Sequence, residues 1–535
     1  MKTLLVLFCS ISLQAQNIQR PKLVVGIVID QMRWDYLYRY SERFAANGGF
    51  KRLLNQGFTC ENTMIPYAPA VTAPGHASIY TGSVPAINGI TGNLWWDNEQ
   101  GREVYCAEDK TVKTVGSNSK LGEMSPRNLL VTTICDELRL ATNFQSKVIG
   151  VALKDRGSIL TTGHSANAAY WYDNTTGDWI TSTYYMNDLP KWVNDLNSKK
   201  MVNKYYQQGW NTMFPLNTYK QSTADNVKWE GSLSGLKGFP YDTKGFVDKN
   251  FGSIMAMPQG NTLTVEMGKA AITGEQLGVD DITDFLAISF SSPDLIGHTF
   301  GPNSIEEEDN YLRLDKDLGD LLDFVDAKVG KGQWLAFLSA DHAVAQTPGF
   351  LKEHKIPAGN VSLLDITKQI NKSLKDQFGK DNLIVSSDNY QFYLNHYLID
   401  SAHLNSEEIK EWVVGYLSAE PGIARVFALD KLMMTTLNSK QKNMLANGYY
   451  PRRSGDIQVI LQPQYIDGFI SSGTTHGLWN PYDTHIPLLW YGWGIKAGKT
   501  NREVYMTDIA PTIAAILHIQ MPSGSIGSVI EEVMK

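Results

Sequence analysis

Leu23 through Ile29 form an unbroken apolar stretch, LVVGIVI, that stops at Asp30. A strand with one wet face alternates polar and apolar side chains, whereas a continuous run of this length reads as a strand covered on both faces, as in a parallel sheet. Four more such runs follow at 148–153, 285–290, 334–338 and 486–491. Between them the apolar positions take helical spacing, as at 128–140 and 305–325. The second of these opens with Glu306, Glu307 and Glu308, where the positive end of a helix dipole favours carboxylates. This alternation predicts an α/β fold with a mostly parallel central sheet flanked by helices.

Two stretches interrupt the pattern. Residues 163–276 are rich in Trp, Tyr, Asn, Gly and Ser without a clean period, and 352–467 mix short helical and strand patterns. Both are expected to be insertions, the first a cap, in one catalytic domain spanning 16–535. The length of 535 residues exceeds what a single core usually supports, which agrees with such additions.

At the N-terminus, Lys2, an apolar stretch over 4–12 and Leu13-Gln14-Ala15 before Gln16 read as a cleavable secretory signal over 1–15. The expected location is therefore periplasmic or secreted. No other run approaches the roughly 20 apolar residues that a membrane span requires. Cleavage leaves Cys60, Cys106 and Cys135, so at least one thiol stays unpaired. Cys60 and Cys106 can pair on count alone, while Cys135 lies in an apolar helical pattern. The net charge of −7 excludes a broadly basic, nucleic-acid-binding surface. An anionic substrate would have to be drawn by metals or by a few local cations.

Polar residues stand directly after the apolar runs: Asp30 after the first, Lys154 and Arg156 after the second, Asp294 and His298 after the third, Asp341 and His342 after the fourth. In open α/β sheets ligands bind beyond the carboxyl ends of strands, so these groups can converge although they are far apart in sequence. Carboxylate and imidazole are zinc-type ligands, and Asp294-x-x-x-His298 puts one of each on a single helical face. Each residue alone is also what a solvated loop or a helix cap would show. As a set, joined by His476 in Thr474-Thr475-His476-Gly477, they point to metal. Thr72, two residues before Pro74 in Thr72-Ala73-Pro74-Gly75-His76, falls at a helix start, where free N–H groups and the dipole favour phosphate. A threonine there is ordinarily an N-cap; a neighbouring metal would make its hydroxyl a nucleophile.

With Thr72, Gly92-Asn93, Lys154-Asp155-Arg156, Asp294-x-x-x-His298, Asp341-His342 and Thr475-His476-Gly477 in that order, and Asp508-Ile509-Ala510-Pro511-Thr512 near the end, the chain resembles the alkaline phosphatase superfamily. Within it, the likeness is to the monomeric periplasmic PafA-type enzymes. The resemblance implies two zinc ions per chain, one held by Asp30, Asp341 and His342 beside the Thr72 nucleophile, the other by Asp294, His298 and His476. It also implies phosphate monoesters as substrates, inorganic phosphate as product, a monomer, and a two-step reaction through phosphothreonine at Thr72. Asn93, Lys154 and Arg156 would hold the three non-bridging oxygens of a monoester dianion, with Arg156 acting as a fork.

The rival readings are a phosphodiesterase or nucleotide pyrophosphatase on the same metals, which would not need the Lys154 and Arg156 pair, and a non-catalytic exported binding protein keeping the fold. A sulfatase would need Cys or Ser where Thr72 stands. His485 competes with His476 for the last metal position, and His76 reads as a structural hydrogen-bonding residue.

Overall fold

The computed structural model describes residues 19–468 and 472–534; the expected signal over 1–15 lies outside them. An eleven-stranded sheet dominates the molecule. In chain order its principal strands are β1 (Leu23–Ile29), β2 (Phe58–Met64), β3 (Val148–Ala152), β4 (Ala168–Asp173), β5 (Asp178–Ser182), β6 (Asp284–Phe290), β7 (Trp334–Ser339), β8 (Leu488–Gly492) and β9 (Gly498–Tyr505). Strands β7, β1, β6, β3 and β4 lie side by side and parallel, as the unbroken apolar runs require. Antiparallel strands, β8 beyond β7 and β5 beyond β4, extend the two ends.

The 486–491 run is not one strand. Pro487, which has no N–H to donate, separates His485–Ile486 from β8, and both pieces pair antiparallel. The alternation thus predicted the parallel centre correctly but missed the direction of β8, which lies between β7 and β2.

Strand register sets where the chemistry falls. Val28 is opposite both Ser289 and Ser339, and Ala152 is opposite Ser289. The carboxyl ends of β1, β3, β6 and β7 are therefore level, and the residues that follow them emerge along one rim. The helices nearest that rim and beneath the sheet are α1 (Thr72–Thr81), α2 (Asp155–Thr162), α3 (Gln259–Gly274), α4 (Ser292–Phe300), α5 (Ile305–Val329) and α6 (Ile509–Leu517). The helical pattern at 128–140 yields a helix only from Ile134, because Thr133 and Asp136 form a capping box that fixes its start.

Every residue of α1 is buried, and it reaches the sheet through two glycines. A Cβ at Gly26 would come 2.3 Å from the Tyr80 hydroxyl, and one at Gly75 would come 2.4 Å from the carbonyl oxygen of Asp341. Close approach at Gly75 is what seats the start of α1 against the end of β7. We expect Gly75→Ala to destabilise the protein by about 1–3 kcal/mol through overpacking, read as a lower denaturant midpoint. An unchanged midpoint would show that α1 has room to move.

Residues within 163–276 supply β4, β5 and α3, with two short helices, Lys191–Ser198 and Met201–Gln208, and irregular chain between. Residues 363–461 build a second sheet, in the order Ile384–Ser386, Gln391–Leu394, Ile457–Leu461, Ile423–Ala428, with its own hydrophobic core. We call this part the lobe. Cys60, Cys106 and Cys135 are all buried free thiols, so the pairing of Cys60 with Cys106 is not made.

Candidate active site and metal centre

Asp30 follows β1, Lys154 and Arg156 open α2, Asp294 and His298 lie one turn apart on α4, and Asp341 and His342 follow β7. The structure brings all of them together with Thr72 and His476. Asp30, Asp294, Asp341, His342 and His476 are almost completely buried. Two sets of ligand atoms lie close enough to share an ion: Asp294, His298 and His476, and Asp30, Asp294 and His342. Asp341 flanks the second set, with Oδ2 3.5 Å from His342 Nε2. Thr72 Oγ1 is 3.5 Å from the same Nε2. His485 lies elsewhere, stacked on Trp34 with Nε2 bonded to the Glu61 carbonyl, so it does not compete with His476.

The imidazoles share one device. His298 Nδ1 meets the Thr474 carbonyl at 2.8 Å, His342 Nδ1 meets that of Ala343 at 3.0 Å, and His476 Nδ1 meets that of Ala70 at 2.8 Å. A carbonyl can only accept, so Nδ1 carries the proton and Nε2 presents its lone pair toward the carboxylates, the arrangement of a metal-ligating histidine.

Charge tells the same story. Burial, then Asp294 and Asp341, push the Asp30 carboxyl well above its usual range, with Lys154 opposing. Burial also opposes ionisation of Asp294, yet His298 and Lys154 hold it well below. Burial keeps His342 low and, with His342 and His298 nearby, His476 well below its usual range, so both favour the neutral, metal-binding form. Among the described residues, Asp30 Oδ1 and Asp341 Oδ2 are buried without a well-formed hydrogen bond, His76 Nδ1 approaching Asp341 Oδ2 at 3.2 Å while bonded to Thr72 O. Three carboxylates and three imidazoles around such orphaned oxygens fit divalent cations of the zinc type, because burying this much negative charge is costly unless a cation neutralises it.

The phosphate-binding candidates face this cluster. Lys154 Nζ donates to Asp30 Oδ2 and Asp294 Oδ2, both at 2.6 Å. Lys154 and Arg156 belong to the N-terminus of α2, and Thr72 is the first residue of α1, so two helix starts converge here. Thr72 is one residue past the N-cap, which is Val71, and no side chain caps the helix. The ordinary capping role of such a threonine is therefore not the one it plays. Asn93 Oδ1 accepts the Ala73 N–H at 2.9 Å, which leaves only its amide donors to offer.

Sequence reasoning missed two residues, Gln31 and Tyr105, and read His76 as a structural hydrogen-bonding residue, which its contacts bear out. Gln31, buried and held at φ 68°, donates from Nε2 to Asp294 Oδ1 at 2.7 Å and from its backbone to Asp341 Oδ1 at 3.1 Å, linking two carboxylates. Its place immediately after Asp30 was the available signal. Tyr105 donates to Asp155 Oδ1 at 2.5 Å and accepts from Arg156 Nη1 at 3.2 Å; nothing in its sequence context marks it. His76, read as structural, bonds Thr72 O and Ser289 Oγ, but also lies 3.2 Å from Asp341 Oδ2, so it braces a metal-ligand candidate.

Known proteins place this site in context. The family described as type I phosphodiesterase / nucleotide pyrophosphatase matches residues 24–476. Alkaline phosphatase PhoV of Synechococcus elongatus is 52% identical, over 100% of this chain and 98% of its own length. Alkaline phosphatase PafA of Elizabethkingia meningoseptica is 51% identical, over 97% of this chain and 95% of its own. A crystal structure of wild-type PafA superposes with a TM-score of 0.94 at 50% identity, covering 97% of this chain and 100% of that one. Another PafA structure, with the same TM-score, carries substitutions of a threonine, an asparagine, a lysine and an arginine, in that chain order.

Proposed function

We propose, for a chain that belongs to the type I phosphodiesterase / nucleotide pyrophosphatase family and stands within it among the alkaline phosphatases, that Thr72 is the nucleophile and that Asn93, Lys154 and Arg156 hold the phosphoryl group. The protein is a phosphate monoesterase. The observation that carries the assignment of roles is the position of Thr72: a buried hydroxyl at a helix start, 3.5 Å from His342 Nε2, in front of two sets of metal-type ligands. The substitutions in the PafA variant, of a threonine, an asparagine, a lysine and an arginine, support the same four residue types.

Asp30, Asp341 and His342 would hold one cation and Asp294, His298 and His476 the other, with zinc favoured by the nitrogen and oxygen donor set. When bound, such cations supply Lewis acidity that favours the Thr72 alkoxide and the departing oxygen. Thr72 Oγ attacks phosphorus and the bond to the alcohol oxygen breaks, giving phosphothreonine and, after that oxygen takes a proton, the free alcohol. Water then attacks the same phosphorus. The Oγ–P bond breaks, Thr72 regains its proton and inorganic phosphate leaves. Throughout, the guanidinium of Arg156 and the amide donors of Asn93 hold non-bridging oxygens, while the helix N-termini of α1 and α2 favour their charge. Lys154, bonded to Asp30 and Asp294, orders the carboxylates as well as adding positive charge.

Export under the 1–15 signal and action as a monomer complete the proposal, together with insertions at about 163–276 and 352–467. Among the described residues no helix is long and apolar enough to cross a membrane. The discriminating experiment compares aryl phosphate, bis-aryl phosphate and aryl sulfate on protein stripped with a chelator and after zinc is returned. Stripping should abolish monoester turnover, and zinc should restore it as metal content approaches two ions per chain by atomic emission. Full activity at zero bound metal would sink the proposal, and faster bis-aryl than aryl phosphate hydrolysis would favour the diesterase reading.

A further inference from the structure

Two motif glycines have no part in the chemistry above: Gly92, beside Asn93, and Gly477, beside His476. A Cβ at Gly92 would stand 2.3 Å from Asn389 Nδ2, and one at Gly477 would stand 2.5 Å from the ring of Tyr390. Gly477 also has φ 139°, a backbone that favours glycine. The two side chains that occupy this space are neighbours in sequence. They sit on the lobe, at the entrance to its strand Gln391–Leu394.

Asn389 and Tyr390 both hold left-handed backbone, at φ 60° each. Asparagine tolerates that conformation; a bulky aromatic residue is an outlier there and persists only where its surroundings over-determine it. Here they do. Asn389 Nδ2 donates to the Leu94 carbonyl at 2.8 Å, one residue past Asn93. The buried Tyr390 hydroxyl donates to the His476 carbonyl at 3.0 Å. The Tyr390 carbonyl accepts from Gln458 Nε2 at 2.9 Å, which ties the pair to the strand Ile457–Leu461 of the lobe. One dipeptide thus grips the main chain on both flanks of the site.

We infer that Asn389 and Tyr390 are positioning residues, through which the lobe fixes the Asn93 segment and the His476 segment relative to each other. Asn389 serves monoester recognition through Asn93, and Tyr390 serves metal retention through His476. Gly92 and Gly477 are glycines because those two side chains must reach the backbone. This inference rests on the roles proposed above for Asn93 and His476.

Asn389→Gly keeps the left-handed backbone without strain and removes the side chain with its amide; Tyr390→Phe removes only the hydroxyl. Asn389→Gly is expected to lower kcat/KM for aryl phosphate about fivefold, the effect of one lost neutral hydrogen bond, while bis-aryl phosphate changes less than about twofold. Tyr390→Phe is expected to release zinc to a chelator about fivefold faster, with activity restored by excess zinc. Equal losses on both esters in Asn389→Gly, or zinc release at the wild-type rate in Tyr390→Phe, would overturn the clamp. Asn93→Ala and His476→Ala, measured alongside, separate the two levels. If they show the selective losses and the lobe variants do not, the clamp alone fails; if they do not, the roles of Asn93 and His476 fail and the clamp with them.

Discussion

Thr72→Ala should reduce turnover of aryl phosphate by a factor on the order of 10³ to 10⁶, the range over which loss of a covalent nucleophile is felt. Bound metal should remain unchanged. The geometry makes this a clean substitution. Alanine is an excellent helix former at the first position of α1, and no capping interaction is lost because the cap residue is Val71 and carries no side-chain bond. The six carboxylates and imidazoles proposed as ligands come from other segments, so metal content by atomic emission should match the parent protein. Rapid acid quench with labelled substrate should place the phosphoryl label on Thr72 in the parent and nowhere in the variant. Turnover within about tenfold of the parent would remove Thr72 from the chemistry.

Arg156→Ala should separate substrates. Among the described residues the guanidinium bonds only the Tyr105 hydroxyl, through Nη1, and its buried Nε has no partner, so its donors are available to an anion. A charge-assisted bond of about 1.5–3 kcal/mol, made twice by the fork, predicts a loss of about 10²-fold to 10⁴-fold in kcat/KM for aryl phosphate. Bis-aryl phosphate, which lacks the second negative oxygen, should lose far less. Lys154→Ala should behave differently. Lys154 touches Asp30 and Asp294 rather than open space, so its removal leaves two buried carboxylates without their cation and should slow both esters. Equal loss on both esters in Arg156→Ala would remove the argument that Arg156 selects monoesters.

What the sequence made legible follows from how the information is stored. A strand buried on both faces must be apolar throughout, so the first polar residue after it marks the rim of the sheet, and Asp30, Lys154 and Asp341 could be read one by one. Asp294 and His298 were legible because the spacing of four is a property of one helix. Register, which levels those strand ends, was not written in any single segment. The antiparallel direction of β8 was not legible, because a strand paired on both sides, as β8 is by β7 and β2, is apolar throughout whichever way it runs. Gln31 and Tyr105 escaped notice because their roles are pairwise contacts: Gln31 acts on Asp294 and Asp341, far along the chain, and Tyr105 on Asp155 and Arg156. Asn389 and Tyr390 were still less visible, since the lobe that carries them has no chemical motif and the left-handed backbone of a tyrosine leaves no mark in sequence.

The histidines carry one more lesson. Their tautomers are fixed by the carbonyl oxygens of Ala70, Ala343 and Thr474, atoms that all twenty amino acids possess. Mutational drift at those three positions can alter side chains without erasing the acceptors. All three residues are buried, so a point variant there acts on the histidines only by displacing the main chain, and the carbonyl acceptor itself leaves no signature in the identity of the residue. Part of the inheritance of this metal centre resides in the trace of the chain, where no single codon encodes it.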